Sequence, residues 1–405
     1  MERMGWQSTV RGLLYAAMAV FLVTIGIGIL NGLDLVTFER DQLLTHVHTG
    51  TLGWITLALV ATSAVLAGGI DRRLALALGV IVPVYALAFL VAPVFRSVLG
   101  AILLLAILWL VAWAWGRYRA ERSMPALAIA LGFTTFTYGA IIGLLIQVQL
   151  ATGSVIFPAG ADVLGAHASA MVFSYLILVA TGLLEWRVLG AKRPSGAGYL
   201  QLGFLFVSGG LTSATLLFAP GALEPVGGLV MLLNLTAIVI FVVRVTLKAV
   251  RTDWLAGAGR HLAASAMFVP VAMAIFLYVI SQFIANPALA EDPTPIAGVL
   301  VASDHAAFLG VITNLVFGVL LQLTADRRAI WSEADHIAFW GVNGGLVVFL
   351  VGLVLDAAIL KQVGAGVMGL SLLVGLATFA MRLRGSSLGI APEPFVAEPA
   401  QRAAG

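Results

Sequence analysis

The six histidines are the only side chains in this 405-residue sequence with clear metal-binding chemistry, because the sequence has no cysteine. Four of them lie near the beginnings of long apolar segments: His46, His48, His167 and His305. Neutral imidazole is a good ligand for haem iron and copper, and a histidine between apolar segments is costly unless it has a partner. We therefore interpret these four histidines as candidate metal ligands.

Two of the four candidates share a longer motif. The segments 48–56 and 305–313 both follow the pattern H-x-x-x-L-G-x-I-T, whereas His167 keeps only an apolar residue, Met171, four positions later. The glycines of the motif, Gly53 and Gly310, predict close approach of a flat macrocycle or of a neighbouring backbone. The side chains of His46 and His48, two residues apart on a helix, point about 200° apart around its axis. They therefore cannot both ligate one metal. We expect one of them to face a second site.

Each histidine also has a purely structural interpretation. The two earliest would be solvated at a membrane interface. His167 would be a hydrogen-bonded core residue, and the Asp304-His305 pair would be an ordinary helix cap. His261 is predicted to be interfacial and His336 to be structural, because both follow charged loops on the other side of the membrane.

The composition indicates the elements that must carry these residues. Hydrophobic residues make up 61% of the chain and charged residues only 10%, which a water-facing surface cannot accommodate. The apolar runs are continuous instead of alternating, so they predict an all-α integral membrane protein and exclude a β-barrel. Twelve spans are expected, at residues 12–31, 45–68, 74–93, 97–116, 125–150, 162–184, 199–219, 226–249, 262–285, 297–323, 336–358 and 363–382.

The positions of the basic residues orient these spans. With a cytoplasmic N-terminus, 19 of the 22 Lys and Arg residues lie on the cytoplasmic side, and only Arg40, Arg96 and Lys361 lie outside. The positive-inside rule therefore predicts that both termini are cytoplasmic. The expected location is the inner (plasma) membrane of a bacterium or archaeon. Residues 1–385 form the expected membrane domain, and residues 386–405 a flexible cytoplasmic tail.

The candidate ligands then share one depth. They lie at the outer ends of the second, sixth and tenth helices, which all run from outside to inside. Because these helices are four apart, we predict three pseudo-repeated four-helix arcs.

This layout resembles subunit I of the haem-copper oxidase superfamily, including its cbb3-type and nitric-oxide-reductase branches, as a divergent relative. The resemblance implies that His305, with His48 or His46, holds a low-spin b-type haem. It also implies that His167 contributes to a second haem or a copper site. The copper site is expected to be incomplete, since the seventh helix, 199–219, has no histidine. A related resemblance is to the NnrS family of twelve-helix membrane proteins that contain haem and copper.

Haem carboxylates need cations at the outer surface, for which Arg40, Arg96 and Lys361 are the candidates. The expected function is membrane redox chemistry, either electron transfer or the chemistry of a small gas, nitric oxide or oxygen. If the chain is an enzyme, it is an oxidoreductase. Its expected partners are the lipid bilayer and a soluble or membrane cytochrome or copper protein as electron donor, and no nucleic acid. The alternatives are a cofactor-free multi-pass transporter and a non-catalytic membrane subunit of a redox complex.

Overall fold

The computed structural model describes residues 5–190, 195–290, 292–329 and 331–389, and these contain helices but no β-strand. Twelve helices within these ranges are long and apolar enough to cross a membrane, which confirms the predicted all-α multi-pass protein. We number them in chain order: α1 (Trp6–Gly32), α2 (Arg40–Leu66), α3 (Arg72–Leu90), α4 (Pro93–Glu121), α5 (Met124–Thr152), α6 (Val163–Leu189), α7 (Gly196–Phe218), α8 (Pro225–Ala249), α9 (Gly257–Ala285), α10 (Thr294–Leu323), α11 (Ala334–Val354) and α12 (Ala358–Gly385).

The shortest connection between helices is that between α3 and α4. Helix α3 ends in a 3₁₀ turn at Leu90, and Pro93 is the first residue of α4. Proline suits this position because its fixed φ is helical and its missing N–H would have no helical partner there. Two spans can therefore follow each other with only residues 91 and 92 between them.

The beginning of α1 contacts the end of α12 and the residues directly after it. Arg11 Nη2 donates to the Ser386 carbonyl at 2.7 Å, and the Tyr15 hydroxyl donates to the Ala380 carbonyl at 3.0 Å. Ser386 and Ser387, which the sequence assigns to the tail, donate to the Asp326 carboxylate. Residues 390–405 of that tail lie outside the described residues.

Helices α2, α6 and α10 share an unusual backbone. Each contains an eight-residue π-helical segment, at Thr49–Thr56, Ser169–Leu176 and Ala306–Thr313. Helices α8 and α11 contain shorter ones of five residues, at Val242–Thr246 and Ile337–Gly341. The eight-residue segments begin directly after His48, two residues after His167 and directly after His305. π-Helical turns are rare and occur frequently at functional sites. This recurrence at every fourth helix supports the predicted threefold repeat and places the candidate ligands where the helical winding changes.

The last residue of the motif has a structural role in this winding. Thr56 and Thr313 each donate a side-chain hydrogen bond to the carbonyl five residues earlier, at 2.9 Å. Both hydroxyls also accept a bond from another repeat, because Trp54 Nε1 donates to Thr313 Oγ1 at 3.0 Å and the Tyr175 hydroxyl donates to Thr56 Oγ1 at 3.1 Å. These fully buried bonds connect α2 to α10 and α6 to α2.

The motif glycines allow helix contact and do not border the large cavities described below. A Cβ atom on Gly53 would overlap Val20 of α1, and one on Gly310 would overlap Phe268 of α9. Of the two expected roles for these glycines, the structure thus supports close approach of the preceding helix and not of a macrocycle.

Candidate cofactor sites

The four candidate ligands divide into two pairs, each lining a separate cavity. The first cavity, of about 500 Å³, lies between α1, α2, α10, α11 and α12 and is lined by His46 and His305. The second cavity, of about 290 Å³, lies between α2, α3, α4, α5, α6 and α10 and is lined by His48 and His167. His46 and His48 face different cavities, as their angular separation predicts. The structure also decides which of them shares a cavity with His305, namely His46.

Every one of the four imidazoles is held by a backbone carbonyl. His305 and His48 bond within their own helices, through Nδ1 to Val301 O at 2.9 Å and to Leu44 O at 2.7 Å. His46 and His167 bond to the preceding helix, through Nδ1 to Thr24 O of α1 and to Gly139 O of α5, both at 2.9 Å. Each cavity therefore has one histidine of each kind.

These bonds fix the tautomer of the neutral rings. A carbonyl oxygen only accepts hydrogen bonds, so Nδ1 must carry the proton in each case. Nε2 is then the unprotonated nitrogen, and no described residue makes a hydrogen bond to it in any of the four. An imidazole whose Nδ1–H donates to a carbonyl and whose Nε2 is free has the arrangement of a metal-ligating histidine.

Close packing limits the rotation of the rings. Gly28 of α1 lies against His46, and a Cβ atom there would be 3.1 Å from the ring atom Cε1. Gly143 of α5 lies against His167 in the same way, with a corresponding distance of 2.8 Å. Each glycine is four residues after the carbonyl that binds the same ring. One turn of the preceding helix therefore makes two contacts with the imidazole, a hydrogen bond from the ring to the carbonyl and a packing contact at the glycine.

The other ligand of each pair packs on an aromatic ring. His48 stacks on Phe89, with ring centroids 3.6 Å apart and an interplanar angle of 16°. His305 meets Phe349 edge-on, with centroids 5.1 Å apart and an angle of 63°. Both rings are thus confined, but only His48 has a face-to-face neighbour.

The two cavities share a wall. Four residues line both of them: Val47 and Thr51 of α2, and Asp304 and Phe308 of α10. When the motif in α2 is aligned with that in α10, His48 with His305, Val47 corresponds to Asp304 and Thr51 to Phe308. Helices α2 and α10 therefore contribute the same two motif positions to the wall. The side chains of these four residues form the layer between the cavities.

Asp304 is the functional candidate that the sequence interpretation missed. It was considered a helix cap with His305, but α10 begins ten residues earlier, at Thr294, so that alternative is wrong. Among the described residues its carboxyl group has no hydrogen-bond or ion-pair partner, and it lines both cavities. Its correspondence with Val47 in the superposed motif is the signal that would have placed it between the two sites.

The three predicted outer cations have different environments. Lys361 lines the first cavity, and its Nζ lies 2.9 Å from Asp356. Arg96 is only 4% exposed and lies over the Phe89 ring, next to the second cavity, with Asp41 at 3.7 Å. Arg40 is exposed in the first turn of α2 and lines neither cavity.

The remaining two histidines lie away from these cavities. His261, which the sequence predicts to be interfacial, is the fifth residue of α9 and is 1% exposed because it packs between helices. Its Nδ1 donates to Asn314 Oδ1 at 3.1 Å, and Asn314 in turn exchanges hydrogen bonds with Asn343. The exposed His336 accepts a bond from Arg260 at 3.2 Å. Only Asn314 binds the ring of His261, and its Nε2 is buried without a hydrogen-bond partner among the described residues. The sequence around Arg260 did not indicate the contact with Asn314.

The described residues of α6 and α10 form no third pair of histidines. The position before the π-helical segment of α6 is Ala168, where α2 and α10 have histidine. Nearby, Phe173 of α6 stacks on Phe276 of α9 with centroids 3.6 Å apart. Within the described ranges, no group of three or more His, Cys, Asp or Glu side chains is arranged to hold a metal ion. The available ligands are therefore arranged as pairs.

Comparisons with known proteins do not add a family to this geometry. No protein-family model matches the chain, and a search of curated proteins finds no significant match.

Proposed function

We propose that this protein is a membrane cytochrome that binds two low-spin b-type haems, one between His46 and His305 and the other between His48 and His167. The observation that carries the proposal is the division of four histidines into two pairs that line separate cavities, each with Nδ1 bound to a carbonyl. A planar cofactor that needs one nitrogen ligand from each side matches a pair of histidines better than it matches a cluster.

The residues of both cavities suit haem. Their walls are largely apolar, as expected for sites that take up a flat hydrophobic macrocycle. The first cavity lies within the range of about 300 to 1,000 Å³ typical of cofactor sites, and the second lies near its lower limit. Free Nε2 atoms supply the ligands, while Lys361 at the first cavity supplies a cation for the haem carboxylates.

Ligand pairs favour electron transfer over gas chemistry. Haem supplies one-electron redox chemistry when it is bound. His46, His48, His167 and His305 would hold the iron from both sides and leave no open coordination position for oxygen or nitric oxide. The shared wall of Val47, Thr51, Asp304 and Phe308 keeps the two sites one side-chain layer apart, which suits electron exchange between them.

The proposal retains part of the resemblance to haem-copper oxidases. The histidines on α2, α6 and α10 and the repeated π-helical segments support a common layout of three four-helix arcs. The copper assignment for His167 has no such support, because its cavity partner is His48 and the described residues offer no group of three ligands.

In the plasma membrane of a bacterium or archaeon, with both termini cytoplasmic, the two sites would lie in the outer leaflet. Electrons would then move parallel to the membrane surface, and a donor such as a soluble cytochrome or copper protein would approach from outside.

The test is a spectrum of the full chain, purified after expression with ample haem supply. We expect a Soret band, reduced-minus-oxidised bands of low-spin b-type haem, and two haems per chain. Carbon monoxide should leave the reduced spectrum unchanged, because imidazole occupies both positions of each iron.

Absence of haem would overturn the proposal and favour the cofactor-free transporter. Haem that binds carbon monoxide stoichiometrically would favour the small-gas alternative.

A further inference from the structure

We infer that the second cavity is the site of higher reduction potential, because the buried guanidinium of Arg96 acts on His48 through Phe89. This inference rests on the proposed function and extends it by assigning an order to the two sites. Arg96 and Phe89 are positioning residues in this role.

The assignment begins with three side chains in contact. The imidazole of His48 stacks on the ring of Phe89, with centroids 3.6 Å apart. The guanidinium carbon of Arg96 lies over that same ring, 5.2 Å from its centroid. Phe89 is 1% exposed, so the stack is enclosed by protein. The cation and the ligand His48 are thereby held against the same aromatic ring.

The positive charge of Arg96 is poorly neutralised. Its side chain is 4% exposed, and its Nε is buried without a partner among the described residues. Its acidic neighbour, Asp41, lies 3.7 Å away and is 54% exposed, so water weakens the effect of that carboxylate. Coulomb interactions are stronger in the protein interior than in water, and arginine stays protonated under all ordinary conditions.

The first cavity has no equivalent charge. Its cation, Lys361, is 32% exposed and forms a 2.9 Å ion pair with Asp356, and Asp34 also lines this cavity. Asp304 lines both cavities and directly precedes His305, a ligand of the first cavity. The Phe349 ring beside His305 has no cation over it among the described residues.

A buried cation near a haem would favour its reduced form, which carries one more electron. A haem held by His48 and His167 would therefore have a higher reduction potential than a haem held by His46 and His305. Electrons that enter at the first cavity, next to the outer loops, would move across the shared wall to the second.

The experiment is a potentiometric titration of the purified full chain, followed by optical spectroscopy. The variants His305→Ala and His48→Ala first assign the two spectral components to their cavities. In Arg96→Gln we expect the potential of the second-cavity component to fall by about 59 mV, a tenfold change in a one-electron equilibrium constant, with the first component unchanged. Phe89→Leu should also alter the second component alone, through the ligand it stacks on.

Two variants serve as controls. Arg96→Lys keeps the charge and should retain most of the higher potential. Arg119→Gln removes an exposed arginine at the other end of the same helix, α4, and should change neither component.

The inference is overturned if the second component has the lower potential in the unaltered protein, or if Arg96→Gln shifts both components equally or neither. Both results require that two low-spin haems are bound. A protein without haem would instead reject the proposed function, so the two failures are distinguishable.

Discussion

The two cavities of this protein have the same pattern of histidine–carbonyl hydrogen bonds but different surrounding residues. Each has one histidine bound to a carbonyl of its own helix, four residues earlier, and one bound to a carbonyl of the preceding helix beside a glycine. They differ in volume, in the cation nearby and in the packing of one ligand. The comparison teaches that a repeated scaffold can fix ligand orientation while the residues around it set the properties of each site.

The largest expected effect comes from removing one ligand. Replacing His305 with Ala should abolish the low-spin signal of the first cavity and leave that of the second, and His167→Ala should do the reverse. The reason is that each iron needs two imidazoles from the same cavity. Low-temperature optical and electron paramagnetic resonance spectra would measure both signals.

The matched control for these variants is His336→Ala, an exposed histidine near the opposite end of the bundle. Loss of both signals in a single ligand variant that remains folded would contradict the separation into two sites.

The next largest effect is expected from replacing the glycines that pack against His46 and His167. Gly143→Ala would place a Cβ atom 2.8 Å from His167, so the ring must move, whereas Gly28→Ala would place one 3.1 Å from His46, where a small shift suffices. Overpacking of this kind costs about 1 to 3 kcal/mol. We expect haem retention on dilution to fall in both variants, and more at the second cavity.

A Gly28→Ala variant that loses haem more readily than Gly143→Ala would be inconsistent with these packing distances. Gly116→Ala is a suitable control, since a Cβ atom there would meet no other atom within 4 Å.

Phe308 lies between the two sites, so a substitution there should affect both of them. It lines both cavities, so Phe308→Ala should shift the spectra of both low-spin components by a small amount. Phe349→Ala is the comparison, because Phe349 lines the first cavity only. A Phe308 variant that changes one component alone would argue against the shared wall.

Lys361 is expected to give the smallest effect. Its ion pair is partly exposed, and exposed pairs contribute roughly 0.2 to 1 kcal/mol. Lys361→Gln should therefore lower haem retention in the first cavity by a few-fold at most and leave the second unchanged. Release measured against a haem-scavenging apoprotein would detect this difference, and an effect on the second cavity would contradict the assignment.

Much of the fold followed from the sequence because lipid allows few solutions. Continuous apolar runs and a shortage of charge predict twelve membrane-spanning helices, and the described part of the chain contains twelve that are long and apolar enough to span. The recurrence of His48 and His305 in a common motif likewise predicted the repeat, because similar sequence at matched depth reflects similar packing.

The composition of each site could not be predicted, because it depends on contacts between distant segments. The 200° separation of His46 and His48 showed that they face different ways, but not which one meets His305. The carbonyls of Thr24 and Gly139 are backbone atoms, which a sequence does not mark as hydrogen-bond partners. The cap interpretation of Asp304 disagreed with the predicted span of the tenth helix, which already begins at residue 297, and α10 begins at Thr294.

The most direct test of the two-pair account compares two double variants. In His46→Ala/His305→Ala both changes fall in the first cavity, so one low-spin haem per chain should remain. In His46→Ala/His48→Ala the changes fall in different cavities, so no low-spin haem should remain, although the number of histidines removed is the same. Retention of one low-spin haem in the second variant, or loss of both in the first, would contradict the pairing.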